Sequence, residues 1–140
     1  MVVRLRLADH TYPIQFATAL LVILFLDFIW FSSVGETVYA RLIVAGNVRW
    51  SYGLIAWLPL AAAAAAVSQE ASAVEGALYG AAVGFVPYAV FNGTNLSILP
   101  DWRAHRWVSC VDILWGCTNL AVATSVALAT CKGLKKRLQE

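Results

Sequence analysis

The sequence predicts an all-α integral membrane protein: a single domain over residues 1–140, folded as a bundle of four transmembrane helices with both termini on the same side. The first observation behind this prediction is composition. Hydrophobic residues make up 61% of the chain and charged residues 13%, whereas soluble domains carry roughly half and roughly a quarter. A soluble globule of this size could not bury so much apolar surface. The second observation is that four stretches are apolar over about the 20 residues that a helix needs to cross a bilayer.

The four predicted spans cover residues 13–34, 50–67, 74–99 and 107–131 in approximate bounds. The first opens with Pro13, which a helix tolerates in its first turn. The first and fourth spans each contain one acid, Asp27 and Asp112, and the second has no charge. Because the connections are short, consecutive helices are expected to run antiparallel. The continuous apolar runs argue against a barrel, whose strands alternate with period two.

Charge, cysteines and motifs exclude several classes of protein. A net charge of +2 with scattered basic residues gives no footprint for nucleic acid. Three cysteines without a CxxC pair predict neither a disulfide framework nor a metal site. No catalytic or nucleotide-binding motif occurs, so we expect no enzymatic activity and no cofactor. The lipid bilayer is the first partner that the composition implies.

The distribution of basic residues predicts the orientation. Six of them fall on the side of the termini and four on the opposite side, which favours termini facing the cytoplasm or the mitochondrial matrix. We therefore expect a bacterial plasma membrane or a mitochondrial inner membrane. The first group comprises Arg4, Arg6, Lys132, Lys135, Lys136 and Arg137, and the second comprises Arg41, Arg49, Arg103 and Arg106.

Polar and aromatic residues of different spans are predicted to gather at one depth. Since alternate spans run in opposite directions, the end of spans one and three and the start of span four fall in the same half of the membrane. Spans one and four also share an acid followed three residues later by a tryptophan, which places the two side chains on one helical face. The predicted cluster consists of Asp27, Trp30, Asn92, Asn95, Asp112 and Trp115.

Two interpretations of the buried acids remain open. A carboxylate inside the bilayer costs several kcal/mol unless it is protonated, paired or hydrated. The acids and asparagines can form a hydrogen-bonded clamp that holds spans one, three and four together. Alternatively they can form a proton or cation relay, or a small polar binding pocket. Expected partners are the indole of Trp115 or the amides of Asn92 and Asn95 for Asp27, and Arg103 or Arg106 for Asp112.

Span three carries a ridge of small residues. Gly76, Gly80 and Gly84 are spaced four apart, which lets another helix backbone approach closely. The alanine-rich face of span two is the expected neighbour, because such a contact needs small residues on both sides. The alternative is a homodimer formed through this ridge.

Four segments resemble an uncharacterised, bacterial-type membrane-protein family, domain of unknown function 2177: Leu26-Asp27-Phe28-Ile29-Trp30, Gly84-Phe85 through Tyr88, Thr94-Asn95-Leu96 and Val111-Asp112-Ile113-Leu114-Trp115-Gly116. The resemblance covers residues from about 14 to 129 and implies four helices with no assigned reaction. It also implies an acid at the position of Asn92. The amide found there removes one titratable group, which favours the structural interpretation.

These observations predict a non-enzymatic multi-pass membrane protein with a structural role, an accessory subunit packed among other subunits of a larger membrane complex, such as a respiratory one. The alternative is a small oligomeric transporter or channel whose route is lined by Asp27 and Asp112 with Asn92 and Asn95. An enzyme acting on a membrane-embedded substrate comes third, with Asp112 and His105 as its acid–base pair.

Overall fold

A computed structural model of the protein describes residues 11–39, 42 and 50–140. The described chain is all-α, as predicted. Arg4, Arg6, Arg41 and Arg49, used above to predict orientation, lie outside the described residues. The helices are α1 (Tyr12–Trp30), α2 (Glu36–Tyr39), α3 (Trp50–Ala65), α4 (Ala73–Ile98), α5 (Pro100–Ala104) and α6 (Trp107–Arg137).

Three segments are long and apolar enough to cross a membrane: Tyr12–Gly35, Ala73–Ile98 and Trp107–Arg137. Helix α3 is also apolar but has only 16 residues. Helix α6 runs to Arg137 rather than ending near Cys131. Its last turn contains Lys135, Lys136 and Arg137. These residues have good helix propensity and their charges suit the negative end of the helix dipole.

A π-helical turn, Phe31–Gly35, joins α1 to α2. Within it the Ser33 hydroxyl donates a hydrogen bond to the Ile29 carbonyl at 2.5 Å. In an uninterrupted α-helix, at about 100° per residue, Tyr39 would lie about 120° around the axis from Asp27. A π turn takes up one extra residue. This insertion brings Tyr39 back to nearly the same face as Asp27, which is the face that meets α6.

The four longer helices pack as an antiparallel bundle, in which α4 and α6 share the most extensive contact and α1 packs against both α6 and α3. At one end, the start of α1 meets the end of α6, where the Cys131 thiol lies 3.7 Å from the Thr11 carbonyl oxygen. The connection between α3 and α4 lies at the same end, since the Lys132 ammonium donates to the Ala71 carbonyl at 2.6 Å. The candidate site lies at the opposite end.

The glycine ridge of α4 packs against α6, so the expectation that it meets the alanine face of α3 is wrong. A Cβ atom on Gly80 would lie 2.3 Å from the Leu120 carbonyl oxygen, and one on Gly84 would lie 2.1 Å from the Gly116 carbonyl oxygen. The facing part of α6 offers the ridge the backbone of Leu120 and Gly116 together with the side chains of Thr124 and Leu128, so a close contact did not require an alanine-rich partner. The partner of the ridge is therefore a helix of the same chain. The alanines of α3 instead join a core of Ala19, Ile23, Ala61, Ala64, Leu120, Ala123 and Ala127.

Candidate functional site

The candidate site is a buried group of polar side chains contributed by every long helix and by α2. Helix α1 buries one stripe of residues that ends in Asp27 and Trp30. Helix α6 buries a facing stripe that includes Asp112 and Asn119. Because both stripes recur every three or four residues, each helix turns a single face to the site. We call this site the polar cluster; it consists of Asp27, Tyr39, Trp57, Tyr88, Asn92, Asp112, Trp115 and Asn119.

Asp27 accepts hydrogen bonds from two other helices. The indole nitrogen of Trp57, from α3, donates to Oδ2 at 2.7 Å. The indole nitrogen of Trp115 and the amide nitrogen of Asn119, both from α6, donate to Oδ1 at 2.9 and 2.7 Å. Asp27 is 3% exposed. Three N–H donors therefore replace water around this carboxylate, which makes its burial tolerable.

Asp112 is held by a different set of donors. The amide nitrogen of Asn92, from α4, donates to Oδ2 at 2.6 Å and also to the Tyr88 carbonyl at 2.8 Å. The phenol of Tyr39, from α2, donates to Oδ1. Burial and the contact with Asp112 raise the pKa of Tyr39 above its usual range, so the phenol keeps the proton that it donates. The donors to Asp112 thus come from α2 and α4, whereas those to Asp27 come from α3 and α6.

Aromatic rings connect the two acids. Trp30 stacks on Trp115 with ring centroids 4.5 Å apart. The ring of Tyr88 lies against Gly116, where a Cβ atom would come within 2.3 Å of it. Tyr88 interacts electrostatically with both carboxylates, and the two carboxylates interact with each other. The two acids thus form one connected site across the α4–α6 contact.

Most of the residues predicted for the site lie together. Asp27, Trp30 and Trp115 form one part of it, and Asn92 and Asp112 form the other. Asn92 donates to Asp112 rather than to Asp27. Asn95 is half-buried and makes no hydrogen bond to either acid.

The expected ion pair with Asp112 is not formed by either loop arginine. Arg103 instead donates to the carbonyls of Leu96 and Ser97, at 3.3 and 3.0 Å, and Arg106 is exposed. The half-buried His105 contacts the Asp101 carbonyl at 3.0 Å. The described basic side chains of this loop therefore lie outside the polar cluster.

Tyr39, Trp57, Tyr88 and Asn119 belong to the site but were not predicted as members. Asn119 follows Asp112 by seven residues, which is two helical turns, so helical spacing was a usable signal. Trp57 lies early in the second predicted span, so its depth in the membrane was the only signal that it gave. Tyr39 carried no signal, because its position depends on the π turn.

Two buried atoms of the polar cluster have no hydrogen-bond partner among the described residues. These are the amide oxygens of Asn92 and Asn119, and both side chains are fully buried. In each asparagine, the amide nitrogen donates a hydrogen bond to a carboxylate. Within the described ranges, no group of three or more His, Cys, Asp or Glu residues could hold a metal ion. The oxygens offered by the cluster are therefore those of carboxylates, amides and phenols.

The fold and the site define the class: an all-α membrane protein whose apolar helices enclose two hydrogen-bonded aspartates. The chain belongs to the family described as predicted membrane protein, DUF2177, whose model matches residues 12–130. The family has no assigned function. No curated protein and no solved structure matches the chain.

Proposed function

We propose that this chain is a non-enzymatic multi-pass membrane protein with a structural role, serving as an accessory subunit of a larger membrane assembly. The observation that carries the proposal is how the two acids are used. Asp27 accepts from α3 and α6, and Asp112 accepts from α2 and α4. Side chains that could move protons or bind substrate are thus engaged in joining helices. Such a clamp gives a rigid unit that can pack among other subunits.

The proposal includes a fourth span formed by α3, with both termini on one side of the membrane. Sixteen residues of helix reach about 24 Å, against about 30 Å for the hydrocarbon core. A bilayer adapts to a mismatch of this size at modest cost. Helix α3 is held to α1 over its second half, through Trp57 bound to Asp27 near its middle and the Val67 carbonyl bound by Gln15 just beyond its end.

The topology can be tested by labelling single cysteines from each side of the membrane. In a background without Cys110, Cys117 and Cys131, cysteines placed at Glu70 and Glu140 should be labelled from one side, and cysteines at Thr37 and Asp101 from the other. All four native positions are exposed. Labelling of positions 37 and 70 from the same side would contradict a fourth span formed by α3.

We place the assembly in a bacterial plasma membrane or a mitochondrial inner membrane, with the end of α6 facing the cytoplasm or matrix. The exposed basic turn at Lys135, Lys136 and Arg137 supports this orientation. The accessory role is tested by gentle extraction from the native membrane, followed by mass determination of the intact particle. We expect a particle well above the 15.2 kDa of one chain, with other proteins in fixed stoichiometry. A monomer or a bare homodimer would contradict the accessory role.

A further inference from the structure

The two halves of the polar cluster repeat one arrangement, in which a buried acid lies beside a buried asparagine. Asn92 donates to Asp112 at 2.6 Å, and Asn119 donates to Asp27 at 2.7 Å. In both asparagines the amide oxygen, next to the nitrogen that contacts the carboxylate, has no donor among the described residues. An amide oxygen buried without a partner is costly in an apolar bundle. The same unmet requirement therefore occurs twice, each time beside a carboxylate.

The electrostatics of the cluster point in the same direction. Every hydrogen-bond donor that the described residues supply to the two carboxylates is neutral: two indoles, two amides and a phenol. Two described basic residues bind backbone carbonyls instead: Arg103 donates to Leu96 and Ser97, and Lys132 donates to Ala71 at the opposite end of the bundle. A positively charged species that accepts electron pairs from oxygen would satisfy both the carboxylates and the amide oxygens.

We propose that each acid–asparagine pair of the polar cluster, Asp112–Asn92 and Asp27–Asn119, is a binding site for a small monovalent cation, coordinated by the carboxylate and amide oxygens of that pair. Carbonyl and carboxylate oxygens can replace the hydration shell of such an ion inside a membrane protein. The charge of each pair favours a monovalent ion. Asp112 and Asn119 lie about 10 Å apart along α6, so each pair supplies one carboxylate, whereas sites for divalent ions commonly use several.

This inference goes beyond the structural role proposed above, because a bound cation would act on the clamp itself. The first experiment measures the Tm of the full chain in detergent while NaCl replaces choline chloride at constant ionic strength. We expect a saturable rise in Tm with Na⁺, because an ion that binds only the folded state stabilises it. An equal Tm in Na⁺ and choline at every concentration would overturn the proposal.

Variants locate the effect. Asp27→Asn and Asp112→Asn should each raise the Na⁺ concentration needed for the half-maximal rise in Tm by about tenfold or more, because each removes a group that holds an ion. Asp101→Asn is the matched control, because Asp101 is an exposed acid outside the polar cluster and its loss should leave the response unchanged. A response that survives in both cluster variants, or that disappears in the control, would contradict the assignment.

Asn92→Asp gives opposite results under the two interpretations of this position. It keeps an oxygen beside Asp112 and adds a negative charge, so a cation site should respond to Na⁺ more strongly than in the native protein. A position that only donates a hydrogen bond should lose stability by the same amount in Na⁺ and in choline, which would count against the proposal.

Direct binding keeps the test independent of whether these variants fold. Equilibrium dialysis of the native chain with radioactive Na⁺ should show saturable binding of one or two ions per chain, competed by excess unlabelled Na⁺ and not by choline. Absence of binding would overturn the proposal. So would a Tm that rises when the pH is lowered but does not change with Na⁺. A monomer that binds Na⁺ would contradict the accessory role only, and a large particle that ignores Na⁺ would contradict the cation site only.

Discussion

The contact between α4 and α6 is built differently at its two ends. Around Gly80 and Gly84 the two backbones touch, and a single added carbon would overlap the carbonyls of Leu120 and Gly116. Towards Asn92 and Asp112 the same helices are joined by a side-chain hydrogen bond and by a tyrosine ring. The glycine end brings the helices close and would accept many small-residue partners. The polar end requires one register, because each donor must meet its own acceptor.

The largest expected effect comes from breaking the glycine end with Gly84→Ala. The new Cβ would lie 2.1 Å from a backbone oxygen, and backbone atoms cannot move aside as the tip of a side chain can. We expect a loss of about 3 kcal/mol in the free energy of unfolding, measured in mixed micelles. Gly93→Ala is the control, because nothing lies within 4 Å of its added carbon. Equal stability of the two variants would refute the close backbone contact.

Asp27→Leu tests the polar end and should cost about 2 kcal/mol. It leaves two indoles and one amide without an acceptor. Part of that loss is offset because the variant no longer has to bury a carboxylate. Asp27→Asn keeps one acceptor oxygen and should lose less. If the leucine variant unfolds at the same denaturant concentration as the native protein, these hydrogen bonds do not hold the bundle together.

Gly116→Ala lies between the two ends and should cost about 1.5 kcal/mol. Its Cβ meets the ring of Tyr88 at 2.3 Å, and a ring can shift where a backbone cannot. Tyr88→Leu provides the matched partner for a double-mutant cycle on unfolding free energy. We expect the double variant to be more stable than the sum of the single losses predicts. Additive losses would mean that the two residues do not contact each other.

Tyr39→Phe should have the smallest effect, about 1 kcal/mol, because it removes one donor from Asp112 and leaves the ring in place. The comparison variant is Tyr52→Phe, since Tyr52 is exposed. Both can be followed by thermal unfolding in detergent. A loss in Tyr52→Phe equal to that in Tyr39→Phe would show that the contact with Asp112 contributes nothing specific.

The helices and the depth of the site were predictable, because both follow from local patterns. Four apolar stretches with antiparallel order were enough to bring Asp27, Asn92 and Asp112 to one end of the bundle. The buried stripe of α6, from Asp112 to Asn119, follows from helical spacing alone.

Which residues bond within the site was not predictable, because it depends on how each helix rotates against its neighbours. The sequence offered two surfaces of small residues to the ridge at Gly80 and Gly84, and only packing decides between α3 and α6. Asn92 lies at the same depth in the membrane as both acids, so depth alone allows its amide to bond either one. The register of α4 on α6 pairs it with Asp112. Trp57 could have been an interfacial aromatic, and its bond to Asp27 depends on how α3 rotates against α1.

The π turn at Phe31–Gly35 sets the local backbone preference of this segment against a contact that the polar cluster needs. Removing one residue from the turn would allow an ordinary α-helix there, which is the better local structure. It would also rotate Tyr39 by about 100° and withdraw the phenol from Asp112. The segment is thus locally frustrated: its backbone keeps a less favourable turn because the contact made further along the chain requires it.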